Sequence, residues 1–238
     1  MFNVEQWVKN TVNTVINQKY DNYSAIFIDD ISTDKTPDIV QELIGDDPRF
    51  TLVRNTEKKY SLKNIYDGIN LLDPNDDDVI VSLDGDDWLS SPDVLTKLNK
   101  TYEENDCWMT YGSYLEFPTG NIGIEASKYP KSVINENTFR TEKWRASHLR
   151  TFKYGLWKNI KYDDFLYIDG KFCRTCIDKA FMYPLLEMAG DKAQYVSDVL
   201  YVYNLVNPNN VHKVDRSLQL NTDKFLQAKE PYPRLEKL

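Results

Sequence analysis

Apolar and polar positions alternate along this chain with two periods, and the switches between them mark out the elements. Val4, Trp7, Val8, Val12, Val15 and Ile16 recur at helical spacing, predicting a first helix that ends near Gln18. Asn3 and Gln6 stand at capping-box spacing ahead of it. Ser24-Ala25-Ile26-Phe27-Ile28 then reads as a buried strand stopped by Asp29-Asp30. Thr36-Pro37 is a cap followed by proline at the first helical position, opening a helix to Ile44. A short strand, Phe50 to Val53, follows. From Ser61 to Leu72 a helical face carries Leu62, Ile65, Ile69 and Leu72. After the polar run 73–78 comes a second buried strand from Val79, then a helix from Ser91-Pro92 to about Glu104, then a strand from Cys107 to Phe117.

Helix and strand therefore alternate through residues 1–117, the pattern of a parallel α/β sheet. Residues 118–150 are polar and loop-rich, without firm periodicity. A helix or turn is expected near Gly155 to Trp157 and a helix over Ile177 to Ala189. Two short strands (Gln194–Val196 and Val199–Tyr203) and an amphipathic helix from about Leu218 complete the chain. There is no internal repeat or low-complexity linker. The expectation is one α/β domain, with residues 1–117 as one half and 118–238 as an elaborated C-terminal half.

Composition narrows the partners. At 238 residues with 41% hydrophobic and 28% charged positions, the chain has the make-up of a soluble globular protein. Its net charge of −8 argues against a nucleic-acid partner, but a nucleotide needs only a local basic patch. Cys107, Cys173 and Cys176 form no framework, and Cys173-x-x-Cys176 lacks the second pair or nearby His of a zinc site. Reduced thiols, no membrane span, no signal peptide and a cytoplasmic location are the expectation.

The chemistry concentrates at Val79 to Trp88. There an apolar strand delivers Asp84, Asp86 and Asp87 to a tight turn at its C-terminal end. Ligands of open α/β sheets bind outside those strand ends. Clustered carboxylates repel one another unless a cation or protons balance them. Oxygen ligands at an open strand end suit Mg²⁺ or Mn²⁺ shared with substrate phosphates. The competing reading is a solvated acidic turn.

Taken in order, Asn17-Gln18-Lys19-Tyr20, Asp29-Asp30-Ile31-Ser32-Thr33-Asp34 and Asp84-Gly85-Asp86-Asp87 resemble the family 2 glycosyltransferases. That family runs N-Q-x-Y, V-D-D-x-S-x-D, then a strand ending in D-x-D-D, and its late strand ends in an aromatic as Val199–Tyr203 does. The resemblance implies a GT-A, Rossmann-like fold: a mostly parallel central sheet flanked by helices in a single domain. It implies that residues 1–117 bind a nucleotide-sugar and that 118–238 bind the acceptor. The implied reaction is metal-dependent, inverting transfer from a nucleotide-diphospho-sugar, UDP-linked, to a hydroxyl of a glycan or other acceptor.

The same resemblance implies roles for individual residues. Asp30, beside Asp29, accepts the uracil imide N–H. Asp84 faces the ribose, and Asp86 faces the Mn²⁺ or Mg²⁺ and the diphosphate. Asp87 is a second metal contact or a turn former. Lys63, with Lys58 and Lys59, offsets diphosphate charge. Asp178 is the general base, with Asp163, Asp164 and Asp169 as fallbacks. His212 is a metal ligand or an exposed loop histidine. His148 and Arg150 grip acceptor or diphosphate, or merely anchor a loop. Trp88 and Trp144 stack on a sugar or fill the core.

One departure stands out. The family begins with a central β-strand leading into a P-x-Y/F-N turn, and this chain starts at Met1-Phe2-Asn3, inside that turn. The expected first strand is absent. Buried unpaired backbone groups at such a gap cost about 1–3 kcal/mol each. Either the sequence starts from an internal Met, another strand fills the gap, or a second copy lends one, so a homo-oligomer is among the expectations. Two other functions compete: a catalytically silent sugar-nucleotide or glycan-binding module, and a haloacid dehalogenase-type phosphatase. The latter's nucleophile motif resembles Asp84-Gly85-Asp86 but expects Thr or Val where Trp88 stands.

Overall fold

The computed structural model describes residues 1–124, 126–208 and 215–238. Strands β1 (Ala25–Asp29) and β2 (Phe50–Arg54) pair in parallel over all five residues. Helices α1 (Val8–Ile16) and α2 (Thr36–Ile44) pack beside them around Val8, Val12, Val40 and Phe50. α3 (Tyr60–Leu72) leads into β3 (Val79–Ser82), and the two-residue β4 (Trp88–Leu89) precedes α4 (Val94–Asn105). After β5 (Met109–Phe117) come α5 (Lys131–Glu136), β6 (Arg150–Lys153), the short α6 (Tyr154–Trp157), α7 (Ile177–Ala189), β7 (Ala193–Asn204) and α8 (Arg216–Gln227).

The second sheet has the order β3-β6-β5-β7-β4. It is parallel between β5 and β7 and antiparallel at its other pairings. The architecture is a single α/β domain whose mixed sheet is flanked by helices. Its largest core gathers on α7, where Phe181, Leu185 and Leu186 are fully buried. Inside that core Arg140 donates two charge-assisted bonds to Glu187, at 2.6 and 2.8 Å, so the buried carboxylate is paired.

Three local expectations change. The Asn3 side chain does not cap α1; its Oδ1 accepts the Thr33 N–H at 2.8 Å, and α1 starts later, at Val8. Residues 118–150 hold a helix, α5, and lead into a strand, β6, that pairs with both β3 and β5. The two expected late strands are one bent strand, β7, whose register against β5 shifts around Ser113.

Among the described residues no strand lies between β1 and β3. β1 spends its outer edge on β2 and β3 spends its own on β6. A cavity of about 1590 Å³ runs between them, lined by Ala25–Ile28 on one side and Val79–Leu83 on the other.

Candidate active site

The two acidic strand ends meet at one end of that cavity. Asp30 follows β1, and Asp84, Gly85, Asp86 and Asp87 follow β3; all except Gly85 bring a carboxylate to its wall. Met1 lies between the two tips. Its ammonium sits in the field of Asp29, Asp30 and Asp84, but burial is the larger effect and pushes its pKa down. Gly85 makes this approach possible, because a Cβ there would stand 2.2 Å from the Met1 side chain.

The acids do different work. Asp30 is 3% exposed and its carboxylate is crowded with donors. Oδ1 accepts Asn55 Nδ2 and the Lys59 N–H, both at 2.8 Å; Oδ2 accepts the Tyr60 N–H at 2.9 Å and faces Lys58 Nζ at 3.4 Å. Burial pushes the Asp30 pKa up, but these bonds outweigh it and hold the carboxyl below its ordinary value. Asp29 accepts the Ser32 N–H at 3.1 Å through Oδ2. Ser32 and Asp34 fasten the N-terminal segment, accepting the N–H groups of Asn3 and Glu5.

Asp87 is buried and locked onto β7. It accepts the Tyr201 hydroxyl at 2.5 Å and the Asn204 N–H at 2.7 Å. Burial, then the Asp86 and Asp84 charges, push its pKa well up. Asp86 points elsewhere, its Oδ2 accepting Asn207 Nδ2 at 2.6 Å. Burial also raises Asp84 and Asp86: Asp178 adds to the first against Arg150, and Asp84 adds to the second against Asn207. Carboxylates pushed up by burial and by each other form a site short of positive charge. That donor set fits a hard divalent cation, which needs only one or two carboxylates plus substrate phosphates. Among the described residues no group of three His, Cys, Asp or Glu side chains is placed to hold a metal by itself.

Opposite these acids stand His148, Arg150 and Asp178. β6 starts at Arg150 because its backbone pairs with Ser82, which puts the guanidinium beside the β3 tip. One Arg150 terminal nitrogen donates to His148 Nε2 at 3.0 Å and lies 3.7 Å from Asp178 Oδ2. Arg150 Nε is buried with no hydrogen-bond partner among the described residues. The imidazole stacks on Tyr201 at 4.2 Å, and burial, reinforced by Arg150, pushes its pKa well down. Asp178 lies in the first turn of α7, where the helix N-terminus favours a carboxylate, and its side chain is 25% exposed.

Several expected residues stand elsewhere. Lys63 binds Asp67 and lies over the Phe172 ring, so it is held on α3; Lys58 reaches the cavity instead. Lys59 Nζ is held by the same Asp67. Trp88 packs edge-on against Phe117 and does not line the cavity, whereas Trp144 does. Asp164 is tied to Lys229 and Tyr232, and Asp163 and Asp169 also lie off the cavity. His212 lies outside the described residues. Cys173 and Cys176 are free thiols, pushed by burial to about 11 and about 12. Sequence reasoning missed Tyr201, Asn207 and Arg174. Arg174 lines the cavity over the Tyr60 ring, and no local motif marks it.

Acidic tips at the ends of β1 and β3 thus share one cavity with an arginine and a helix-borne carboxylate, on a mixed α/β fold flanked by helices. Solved structures agree on the fold. S. aureus TarS 1–349 in complex with UDP superposes with a TM-score of 0.64 at 14% identity, over 87% of this chain and 59% of that one. The Pyrobaculum calidifontis mannosyltransferase PcManGT, in complex with GDP-Man and Mn²⁺, gives 0.62 at 18% identity, over 98% and 64%.

The sequence agrees on the family. The family model described as Glycosyl transferase family 2 matches residues 1–162, and the chain belongs to that family. An uncharacterized glycosyltransferase of Haemophilus influenzae is 32% identical over 137 residues, 57% of this chain and 41% of its own length. The GalNAc(5)-diNAcBac-PP-undecaprenol beta-1,3-glucosyltransferase of Campylobacter jejuni is 27% identical over 169 residues, 70% of this chain and 53% of its own. The chain thus spans about half or less of these curated relatives. Among the described residues no helix is long and apolar enough to cross a membrane.

Proposed function

We propose that this chain carries the donor site and the catalytic base of a metal-dependent, inverting glycosyltransferase using a UDP-linked sugar. One observation carries the reading: Asp30, Asp84, Asp86, Arg150 and Asp178 line a single cavity, and burial raises two of these carboxyls. Asp86 is the residue that would hold Mn²⁺ or Mg²⁺, together with the donor's phosphates. A bound divalent cation supplies Lewis-acid stabilisation of the departing diphosphate.

The remaining chemistry belongs to the chain. Asp178 takes the proton of the acceptor hydroxyl as that oxygen attacks the anomeric carbon. The bond to the diphosphate breaks, the electron pair leaves with the phosphate oxygen, and the configuration inverts. Arg150, already facing Asp84 and Asp178, offsets the growing negative charge. At Asp30 the Lys58 contact, at 3.4 Å, is the longest of four, and it is the one a uracil imide N–H displaces. A carboxylate accepts that N–H but meets an acceptor edge on cytosine, which supports UDP. The acceptor is a hydroxyl on a glycan or similar molecule, with Trp144 and Asp178 both on the cavity wall.

A silent binding module is favoured by a single feature, the open backbone edge of β1 next to Asp30. Calorimetry with UDP and Mn²⁺ separates the readings. Under the enzymatic reading UDP binds with Mn²⁺, binding disappears in Asp86→Ala, and a UDP-sugar is consumed. Binding without turnover of any UDP-sugar sinks the enzyme. Hydrolysis of a phosphate ester with no affinity for UDP makes the chain a phosphatase.

A further inference from the structure

Part of the cavity wall is shared by α7 and α8, and two ties hold these helices together there. Lys179 Nζ donates to Asp223 Oδ1 at 2.7 Å, and the Cys176 thiol donates to the Gln219 carbonyl at 3.3 Å. Asp178 and Lys179 are neighbours in the first turn of α7, so these ties fix α8 beside the proposed base. The Lys179 ammonium also stands 5.7 Å from the centre of the Trp144 ring, which packs edge-on against Tyr183 at 5.4 Å. Trp144 stays partly exposed and shares the wall with Gln219 and Asp223. An indole, an amide and a carboxylate are thereby gathered around Lys179.

The charges say what this wall accepts. Among the described residues each lysine and arginine that lines the cavity is engaged. Lys58 faces Asp30, Arg174 lies over the Tyr60 ring, Arg150 faces Asp178 and Lys179 is held by Asp223. Asp178, Asp215 and Asp223 outnumber Lys179 at the α7–α8 wall. A cleft wall with an excess of one sign repels ligands of that sign. An aromatic ring offers flat apolar area, and a few placed polar groups fix the orientation of what lies on it. The C–H face and hydroxyl rim of a sugar match that combination.

We propose that Trp144, Gln219 and Asp223 form an acceptor subsite that takes an uncharged sugar ring and excludes acceptors bearing phosphate or carboxylate. The ring lies on the indole. Its hydroxyls donate to Asp223 Oδ2, the oxygen that Lys179 leaves over, and to the Gln219 amide oxygen. Lys179 is a positioning residue, holding Asp223 in place across the two helices. Discrimination comes from like-charge repulsion at the wall as much as from the attractive contacts. This inference rests on the transferase reading and deepens it by naming the acceptor's chemical class.

Saturation-transfer NMR on the full chain, with and without UDP and Mn²⁺, provides the test. Methyl glycosides of glucose, galactose and N-acetylglucosamine are compared with methyl glucuronide and glucose 6-phosphate. At least one uncharged sugar is expected to bind at millimolar concentration, about tenfold or more tighter than either charged one. Trp144→Ala is expected to abolish that signal. Asp223→Asn is expected to narrow the gap between uncharged and charged sugars, because Lys179 is then left short of counter-charge. Absence of binding by every uncharged sugar overturns the proposal, as does equal or tighter binding of the charged ones. Sugar binding that survives Trp144→Ala, or a gap unchanged in Asp223→Asn, also overturns it. Should Trp144→Ala fail to fold by circular dichroism, the Asp223→Asn comparison still decides. UDP titration is read separately: UDP binding without sugar binding sinks the subsite alone, and sugar binding without UDP affinity sinks the transferase reading instead.

Discussion

Arg150 and Asp178, carried by β6 and α7, face one another at 3.7 Å across the cavity wall. The separation is longer than a hydrogen bond, and the Asp178 side chain stays 25% exposed. The same guanidinium holds His148 at 3.0 Å.

Replacing the proposed proton acceptor while keeping its shape isolates its role. Asp178→Asn is expected to lower sugar transfer by about 10²- to 10⁴-fold, the usual span for loss of a general base, while UDP binding is unchanged. A transfer assay alongside donor titration checks this. Wild-type transfer rates in the variant remove Asp178 from the base position.

Asp30 provides a pH signature. Its folded-state pKa is lowered, so the stability it contributes is fully present above the ordinary Asp value of about 3.9. That contribution is lost as pH falls through the lower folded value. Asp30→Asn is expected to cost about 1–3 kcal/mol at neutral pH, because the Lys59 and Tyr60 amides lose a charged acceptor. The difference from wild type shrinks as urea titrations move to acid. A cost that persists unchanged in acid contradicts the assignment.

His148 is expected to remain neutral through pH 6, since burial and Arg150 both push its pKa well down. Because Nε2 accepts from Arg150, the proton belongs on Nδ1. Nitrogen-15 NMR of the imidazole reads both points. An imidazolium signature at pH 6 refutes them.

Tyr201→Phe removes the hydroxyl that Asp87 accepts at 2.5 Å. A buried acceptor stripped of its donor costs about 1–3 kcal/mol, seen as a lower urea midpoint. Asp87→Asn in the same background is expected to be strongly non-additive, because the two side chains form one unit. Additive losses would show that the contact carries no coupling.

Much of this fold was readable from local pattern. α7 runs from Ile177 to Ala189 as periodicity predicts, and α2 ends at Ile44 as predicted but takes in Thr36, with Lys35 rather than Thr36 at its cap position. β6 was not readable, since Arg150-Thr151-Phe152-Lys153 has no apolar run; it is a strand because β3 and β5 bracket it. β4 is too short to show a period. Of the expected site residues, Asp30, Asp84, Asp86, Asp87, His148, Arg150 and Asp178 share the cavity. Lys63 does not, because Asp67 stands one turn away on the same helix and claims it.

The chain's own order of residues determined where helices and strands begin and which strand tips are acidic, for those are matters of neighbours a few positions apart. Tertiary structure decided what each acid can do. Asp87 is spent on Tyr201 and Asn204, more than a hundred positions along the chain, and Asp30 on Asn55 and the backbone of Lys59 and Tyr60. Burial at the end of β3 then raised the carboxyls that remain. Desolvation and long-range hydrogen bonds have no local period, so only folding assigns them.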